Sequence, residues 1–158
     1  MSDTAQLFFE HFQPGQRHPG QTRLLDQAAF RAFAALTGDA HPIHYDATYA
    51  RGRGLRAPLA HGLLVTAVGA LGATALSARL EASMLAFLEQ GMQFRAPVFE
   101  GDAVRTEFEV DTVRLASDRT RGVVRFIVRA FNQHEAPVAE GFHVYLIACQ
   151  PQSTEEPR

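Results

Sequence analysis

Lysine is missing from this chain, and cysteine occurs once. With every one of the 15 basic residues an arginine, a cation that meets an anion here does so through a planar, two-pronged guanidinium. The single Cys149 excludes an intramolecular disulfide and any cysteine-based zinc cluster. Its place at the end of an apolar strand reads as packing. Charge of one sign is also lacking: a formal net charge of −2 argues against a general nucleic-acid or anionic-membrane binder. The longest apolar stretch, 63–76, falls short of the roughly 20 residues that a membrane-spanning helix needs. No basic segment followed by an apolar run stands near Met1, so the expected address is the cytoplasm. Glycine patterns of the Walker or dinucleotide-binding kind do not occur, and no nucleotide cofactor is expected. There is no internal repeat.

What remains is a chain of 158 residues, 46% of them apolar, enough for one domain with a sizeable core. That domain is expected over 1–150, with 151–158 a polar, disordered tail. Short strands are expected near Leu7 and over 22–25, separated by a Pro/Gly loop at Pro14-Gly15 and Pro19-Gly20. Asp26 is a good N-cap for the helix that follows. Phe30, Phe33, Ala34 and Thr37 place one buried stripe on it, and Gly38 stands where a C-terminal glycine belongs. From Gly62 to about Arg79 the pattern predicts one helix that is apolar or small on every side, hence buried. Its Gly69 and Gly72 cost helix propensity and make sense if another backbone approaches closely. The pattern then switches to period two. Strands are expected over 84–94, broken near Gly91, then over 104–112, 123–131 and 138–147, joined by short turns. The fold class is therefore α+β, an antiparallel sheet wrapped around a long central helix. Sheet edges and an uncovered helix side favour a homodimer or a dimer of dimers.

The chemically dense segment is Thr37-Gly38-Asp39-Ala40-His41-Pro42-Ile43-His44-Tyr45-Asp46. Asp39 and His44 form a compact acid/base pair able to move protons near neutral pH. The bland alternative is a polar loop in which Asp39 caps a turn and His44 is structural. His41 and His44 also spell His-x-x-His, with Asp39 and Asp46 adding oxygens, so a metal site competes. The proline between the two histidines hinders convergence and no distant ligand set is evident, so no metal is expected. His18, His134 and His143 read as surface or packing residues. His61-Gly62 stands at the predicted start of the buried helix, where free N–H groups and the macrodipole suit an oxyanion or a polarised carbonyl. Arg51, Arg53 and Arg56 can hold phosphates or belong to a solvated loop.

The stretch Phe33-Ala34-Ala35-Leu36-Thr37-Gly38-Asp39-Ala40-His41-Pro42-Ile43-His44, with Ala57-Pro58-Leu59-Ala60-His61-Gly62 and the later Phe94-Arg95-Ala96-Pro97-Val98-Phe99-Glu100-Gly101-Asp102, closely resembles the MaoC-like, (R)-specific enoyl-CoA hydratases. The resemblance implies a hot-dog fold, usually dimeric, and a cofactor-free lyase that adds water across the trans double bond of an acyl-CoA thioester or removes it. By position it implies that Asp39 and His44 are the catalytic pair and that the Gly62 N–H polarises the thioester carbonyl. Pro42, His61, Arg53 and Arg56 are the expected substrate contacts. His41 departs from the family, which commonly has Asn there. Two other readings stand beside this one: a hot-dog acyl-CoA thioesterase, and a noncatalytic acyl-thioester-binding protein.

Overall fold

The computed structural model describes residues 5–151; the expectation of a disordered tail falls almost wholly outside them. Five strands form one antiparallel sheet: β1 (Arg17–Leu24), β2 (Met84–Phe94), β3 (Ala103–Leu115), β4 (Arg121–Phe131) and β5 (Pro137–Ala148), in the order β1-β3-β4-β5-β2. The helices are α1 (Gln27–Thr37), α2 (Ala47–Gly52), α3 (Gly62–Val68) and α4 (Leu76–Arg79). Period-two patterning did its work in β3, β4 and β5, whose alternate residues are buried. Phe108, Val110, Val124, Phe126, Val128, Tyr145 and Ile147 face inward and meet Leu7, Phe12, Leu76 and Leu80 at one end. At the other end Leu64 and Val65 of α3 pack with Phe30, Val98, Val138 and Ala139. The opposite face of the sheet carries a ladder of charge. Arg129 reaches Glu109 at 2.8 Å and Glu140 at 3.0 Å, Arg17 reaches Glu109 at 3.2 Å, and Arg125 pairs with Asp111.

Several expectations need correction. The helix from Gly62 is not continuous to Arg79. It ends at Val68, continues as a single tight turn over Leu71–Ala73, and restarts as α4. Gly69 and Gly72 supply weak helix propensity, and Ala70 and Thr74 lie in extended backbone between the pieces. Gly69 is buried against Thr106 and Val128, whereas Gly72 faces open space, so close packing accounts for only the first. Nor is the helix covered all round: Leu63 is 67% exposed. Leu7 lies before a short turn, Phe9–His11, rather than in a strand. Pro19 and Gly20 lie inside β1, where a register shift follows Pro19. An edge strand tolerates a proline because its missing N–H faces away from the ladder. β2 is unbroken at Gly91. A side chain there would press on the Phe142 ring at 2.7 Å, and one at Gly141 would strike the Gly91 carbonyl oxygen. These two glycines let β2 and β5 approach closely; they do not interrupt them.

Asp102, buried after the Gly101 turn, ties three segments together. Its carboxylate accepts from Arg56 at 2.5 and 2.7 Å, from Gln133 at 2.9 Å and from the Phe99 N–H at 2.9 Å. Burial alone would raise its pKa, but these hydrogen bonds and the Arg56 charge prevail and the net shift is downward. A carboxyl whose folded pKa is depressed contributes stability above its unfolded pKa, and that stability is lost as pH falls through the folded value. Asp102→Ala is expected to cost about 2–3 kcal/mol, the scale of a buried charged hydrogen-bond acceptor, and to flatten the acid limb of a denaturation series recorded against pH.

Candidate active site

Local rules bring the dense segment to its place. The Asp26 side chain accepts from the Ala29 N–H at 2.9 Å and starts α1; Gly38, at φ 77°, ends it with its N–H on the Ala34 carbonyl at 2.8 Å. The left-handed glycine reverses the chain, so Asp39 emerges beside the end of α1. A tight turn over Pro42–His44 follows, with proline at its start. His41 caps this turn, its Nδ1 accepting from the Ile43 N–H at 3.2 Å. Asp46 caps α2 by accepting from the Thr48 and Tyr49 N–H groups at 2.8 and 3.0 Å. Two of the four clustered ionisable residues are therefore caps.

His44 donates from Nδ1 to the Leu59 carbonyl at 2.5 Å. A carbonyl only accepts, which assigns the proton to Nδ1 and leaves Nε2 as a base. The same Leu59 donates its N–H to Ile43 at 3.0 Å and bridges to Phe99, so the two motif segments are laced together. His61, two residues on, is 4% exposed. Its ring stacks on His44 at 3.6 Å and 23°, and the tilted Phe33 ring centre lies 4.7 Å away. Its Nε2 lies 3.1 Å from the Tyr45 hydroxyl, 3.3 Å from the Asp39 carbonyl and 3.8 Å from the Asp39 carboxylate, while its Nδ1 is buried without a partner. Burial, with the neighbouring His44, pushes the His61 pKa down against the pull of Asp39, which favours the neutral ring.

One ligand atom each from Asp39, His44 and His61 lie within 4.8 Å of one another. Asp39 is 51% exposed on its side chain, His44 half-buried and His61 buried, a graded wall that opens outward from the protein. Two imidazoles and one carboxylate are also a chemically competent set for a divalent cation. Spacing suggested His41-x-x-His44; the fold instead joins His44 to His61, and His41 points to its own cap.

Gly62 opens α3, whose N-cap His61 makes no side-chain cap hydrogen bond. A cleft of about 380 Å³ runs past it, bordered by Leu59, Val65, Phe94, Arg95 and Val98. With α3 only seven residues long, the donor here is the local N–H group and not a long dipole. Of the expected substrate contacts, His61 is in the cluster and Pro42 begins the turn beneath it. Arg56 is held on Asp102 with its guanidinium 4.3 Å from the Phe99 ring centre, and Arg53 donates to the Tyr49 hydroxyl at 3.1 Å. Both arginines already have partners within the chain. Sequence reading overlooked Tyr45, which spans the Phe30 and Asp39 carbonyls at 3.2 and 3.1 Å, and Phe94, whose ring lies over Gly62. Position beside His44 was the only clue to the first.

Comparison with known proteins agrees with this frame. The chain is 32% identical over 114 residues to an (R)-specific enoyl-CoA hydratase of Aeromonas caviae, covering 72% of this chain and 80% of that one. It is 28% identical over 122 residues to a mitochondrial 3-hydroxyacyl-[acyl-carrier-protein] dehydratase of Arabidopsis thaliana, covering 77% and 69%. Among solved structures, the A. caviae (R)-hydratase superposes with a TM-score of 0.69 at 30% identity, over 89% of this chain and 98% of that one. A Mycobacterium tuberculosis protein with a double hot-dog fold superposes at 0.80 with 20% identity, over 97% of this chain and 47% of the other, and shows the fold alone. The architecture is thus the hot-dog fold expected from the motifs. The MaoC-like domain pattern matches residues 11–130, and the chain belongs to that family.

Proposed function

We propose that this protein is a hydro-lyase that interconverts trans-2-enoyl-CoA and (R)-3-hydroxyacyl-CoA. The observation that carries the reading is the meeting of one ligand atom each from Asp39, His44 and His61 within 4.8 Å, with Gly62 directly after His61 at the start of α3. The (R) sense rests on the hydratase relatives. Hydration needs little else. A carbonyl oxygen hydrogen-bonded by Gly62 N–H draws electron density from the conjugated double bond and makes the β-carbon electrophilic. A water held between Asp39 and His44 loses a proton to the pair as its oxygen bonds the β-carbon. The α-carbon receives a proton from the same pair, so the ledger of atoms closes as one water added. An apolar groove between α3 and β2, beginning at Leu63 next in sequence to Gly62, offers the acyl tail a path. Pro42 and His61 border the reacting end. Arg53 and Arg56 serve the carrier only if they leave their present partners.

The deciding experiment follows the enoyl-thioester absorbance with crotonyl-CoA alongside release of free CoA. Loss of the conjugated band without free thiol supports hydration; free CoA from both saturated and unsaturated thioesters would instead identify a thioesterase. Binding with neither reaction would leave a noncatalytic carrier-binding protein. Because the acid/base pair suffices chemically, protein stripped by a chelator is expected to keep its rate. A loss that zinc restores would assign the Asp39, His44 and His61 set to a metal.

A second copy of the chain is expected to cover the β2 edge. This strand is 11 residues long and exposes Leu85 and Leu88, which do not line the α3–β2 groove. Long apolar edges are rarely left open. Sedimentation is expected to give a dimer at micromolar concentration; a fully active monomer would contradict it.

A further inference from the structure

Along the α3–β2 seam lies a groove of about 430 Å³ whose walls are almost entirely carbon: Leu63, Ala67, Ala70, Met84 and Phe87 among them. Helix and strand run in opposite senses, with Gly62 beneath Phe94 at one end and Leu71 and Met84 at the other. The floor is unlike the walls. There β5 places His143 and Tyr145, each 3% exposed, opposite Gln90 and Phe87 of β2. The Tyr145 hydroxyl lies 3.1 Å from His143 Nδ1. Phe87 and Phe108 stand edge-on to the imidazole at 5.1 and 5.4 Å. Burial drives the His143 pKa down to about 4 and that of Tyr145 up to about 12, so both are neutral over the physiological range. In either tautomer His143 Nε2 has no hydrogen-bond partner among the described residues, and it is not among the sealed unpartnered atoms. An unpartnered polar atom on a 3%-exposed side chain that lines an apolar groove is costly unless something in the groove satisfies it. The pair takes no part in the acid/base chemistry above.

We propose that His143, oriented by Tyr145, makes this groove select acyl tails bearing a hydrogen-bonding oxygen, a hydroxyl or carbonyl, over plain alkyl tails of equal length. The inference rests on the hydratase reading for the direction in which the tail runs. The preferred oxygen sits about 13 Å from the thioester, since four strand residues at roughly 3.3 Å each separate Phe94 from Gln90. A hydroxyl suits both tautomers of His143, accepting from an Nε2–H or donating to a bare Nε2. A site built around such a bond rejects the analogue that lacks it, because its own buried atom is then left unpaired. In a purely apolar groove, added oxygen would instead weaken binding.

The test compares a medium-chain trans-2-enoyl-CoA with its terminally hydroxylated counterpart, with crotonyl-CoA as the tail-less control. The wild-type protein is expected to favour the hydroxylated substrate by about tenfold or more in kcat/KM. His143→Leu is expected to abolish or invert that preference while crotonyl-CoA turnover stays within about twofold. Tyr145→Phe keeps the packing and removes only the hydroxyl, so it gives a second reading if His143→Leu fails to fold; it is expected to reduce the preference. Equal turnover of the two long substrates, or an unchanged preference in both variants, would overturn the proposal. So would failure of both long substrates while crotonyl-CoA reacts, the outcome if a second copy of the chain fills the groove. If crotonyl-CoA is not hydrated either, the catalytic reading fails separately. Calorimetric titration with the matched saturated acyl-CoA and hydroxyacyl-CoA then still decides tail selection, equal affinities counting against it.

Discussion

Asp39→Asn and His44→Ala are each expected to lower the proposed hydration rate by about 10²-fold or more, the scale of lost general acid/base catalysis. The two should act as a unit, so the double variant loses little beyond the worse single one. Asp39 is suited to the test because its carboxylate carries little structure. It accepts from the His41 N–H at 3.3 Å and lies 3.8 Å from His61, and Asn retains the amide-like acceptor. His44 is more embedded, through its bond to the Leu59 carbonyl and the stack on His61. His44→Asn therefore accompanies the alanine variant: an amide can still donate to Leu59 but cannot act as the base. Circular dichroism and thermal melting establish that each variant is folded before kcat is compared. Near-normal turnover in either position removes that residue from the mechanism.

Gly62→Val is expected to lower the rate by about 10²-fold as well, comparable to loss of one oxyanion donor, with weaker substrate binding. The backbone N–H survives the change; what is lost is access to it. A side chain at Gly62 meets the Phe94 ring at 2.8 Å, so part of the effect passes through that ring. Pairing Gly62→Val with Phe94→Leu separates the two causes. If displacement of Phe94 alone is responsible, the smaller residue restores the rate. If the Cβ intrudes on the thioester carbonyl, the double variant stays slow. A complex with an unreactive thioester analogue gives the direct answer: a carbonyl oxygen far from Gly62 N, with Asp39 and His44 still flanking the β-carbon, would retain the acid/base assignment and reject the donor.

Much of this protein was legible in one dimension because the determinants are local. Asp26 and Gly38 mark the ends of α1 through cap chemistry that spans only a few residues. The alternation in 104–112 announces a strand with one buried and one charged face, and Asp39 and His44 stand out by proximity alone. What tertiary structure decided is what depends on contacts distant in sequence. The apolar pattern after Gly62 fitted one long helix, yet packing against the sheet and the bridge from Thr74 to Gly20 divide it into short pieces. Gly91 looked like a strand breaker until Phe142 and Gly141 were seen across from it. Spacing offered His41-x-x-His44 as a competing metal motif and showed no distant ligand, but a three-residue turn uses the His41 ring as a cap, and the distant member beside Asp39 and His44 is His61, brought in by the Leu59–Ile43 and Ala60–Val98 hydrogen bonds. His143 carried no motif, and only the register of β5 against β2, with α3 above, reveals a neutral imidazole facing a groove. Caps and periodicities are written in neighbouring residues; which side chains meet across 15 or more positions is settled by how the sheet and helices pack.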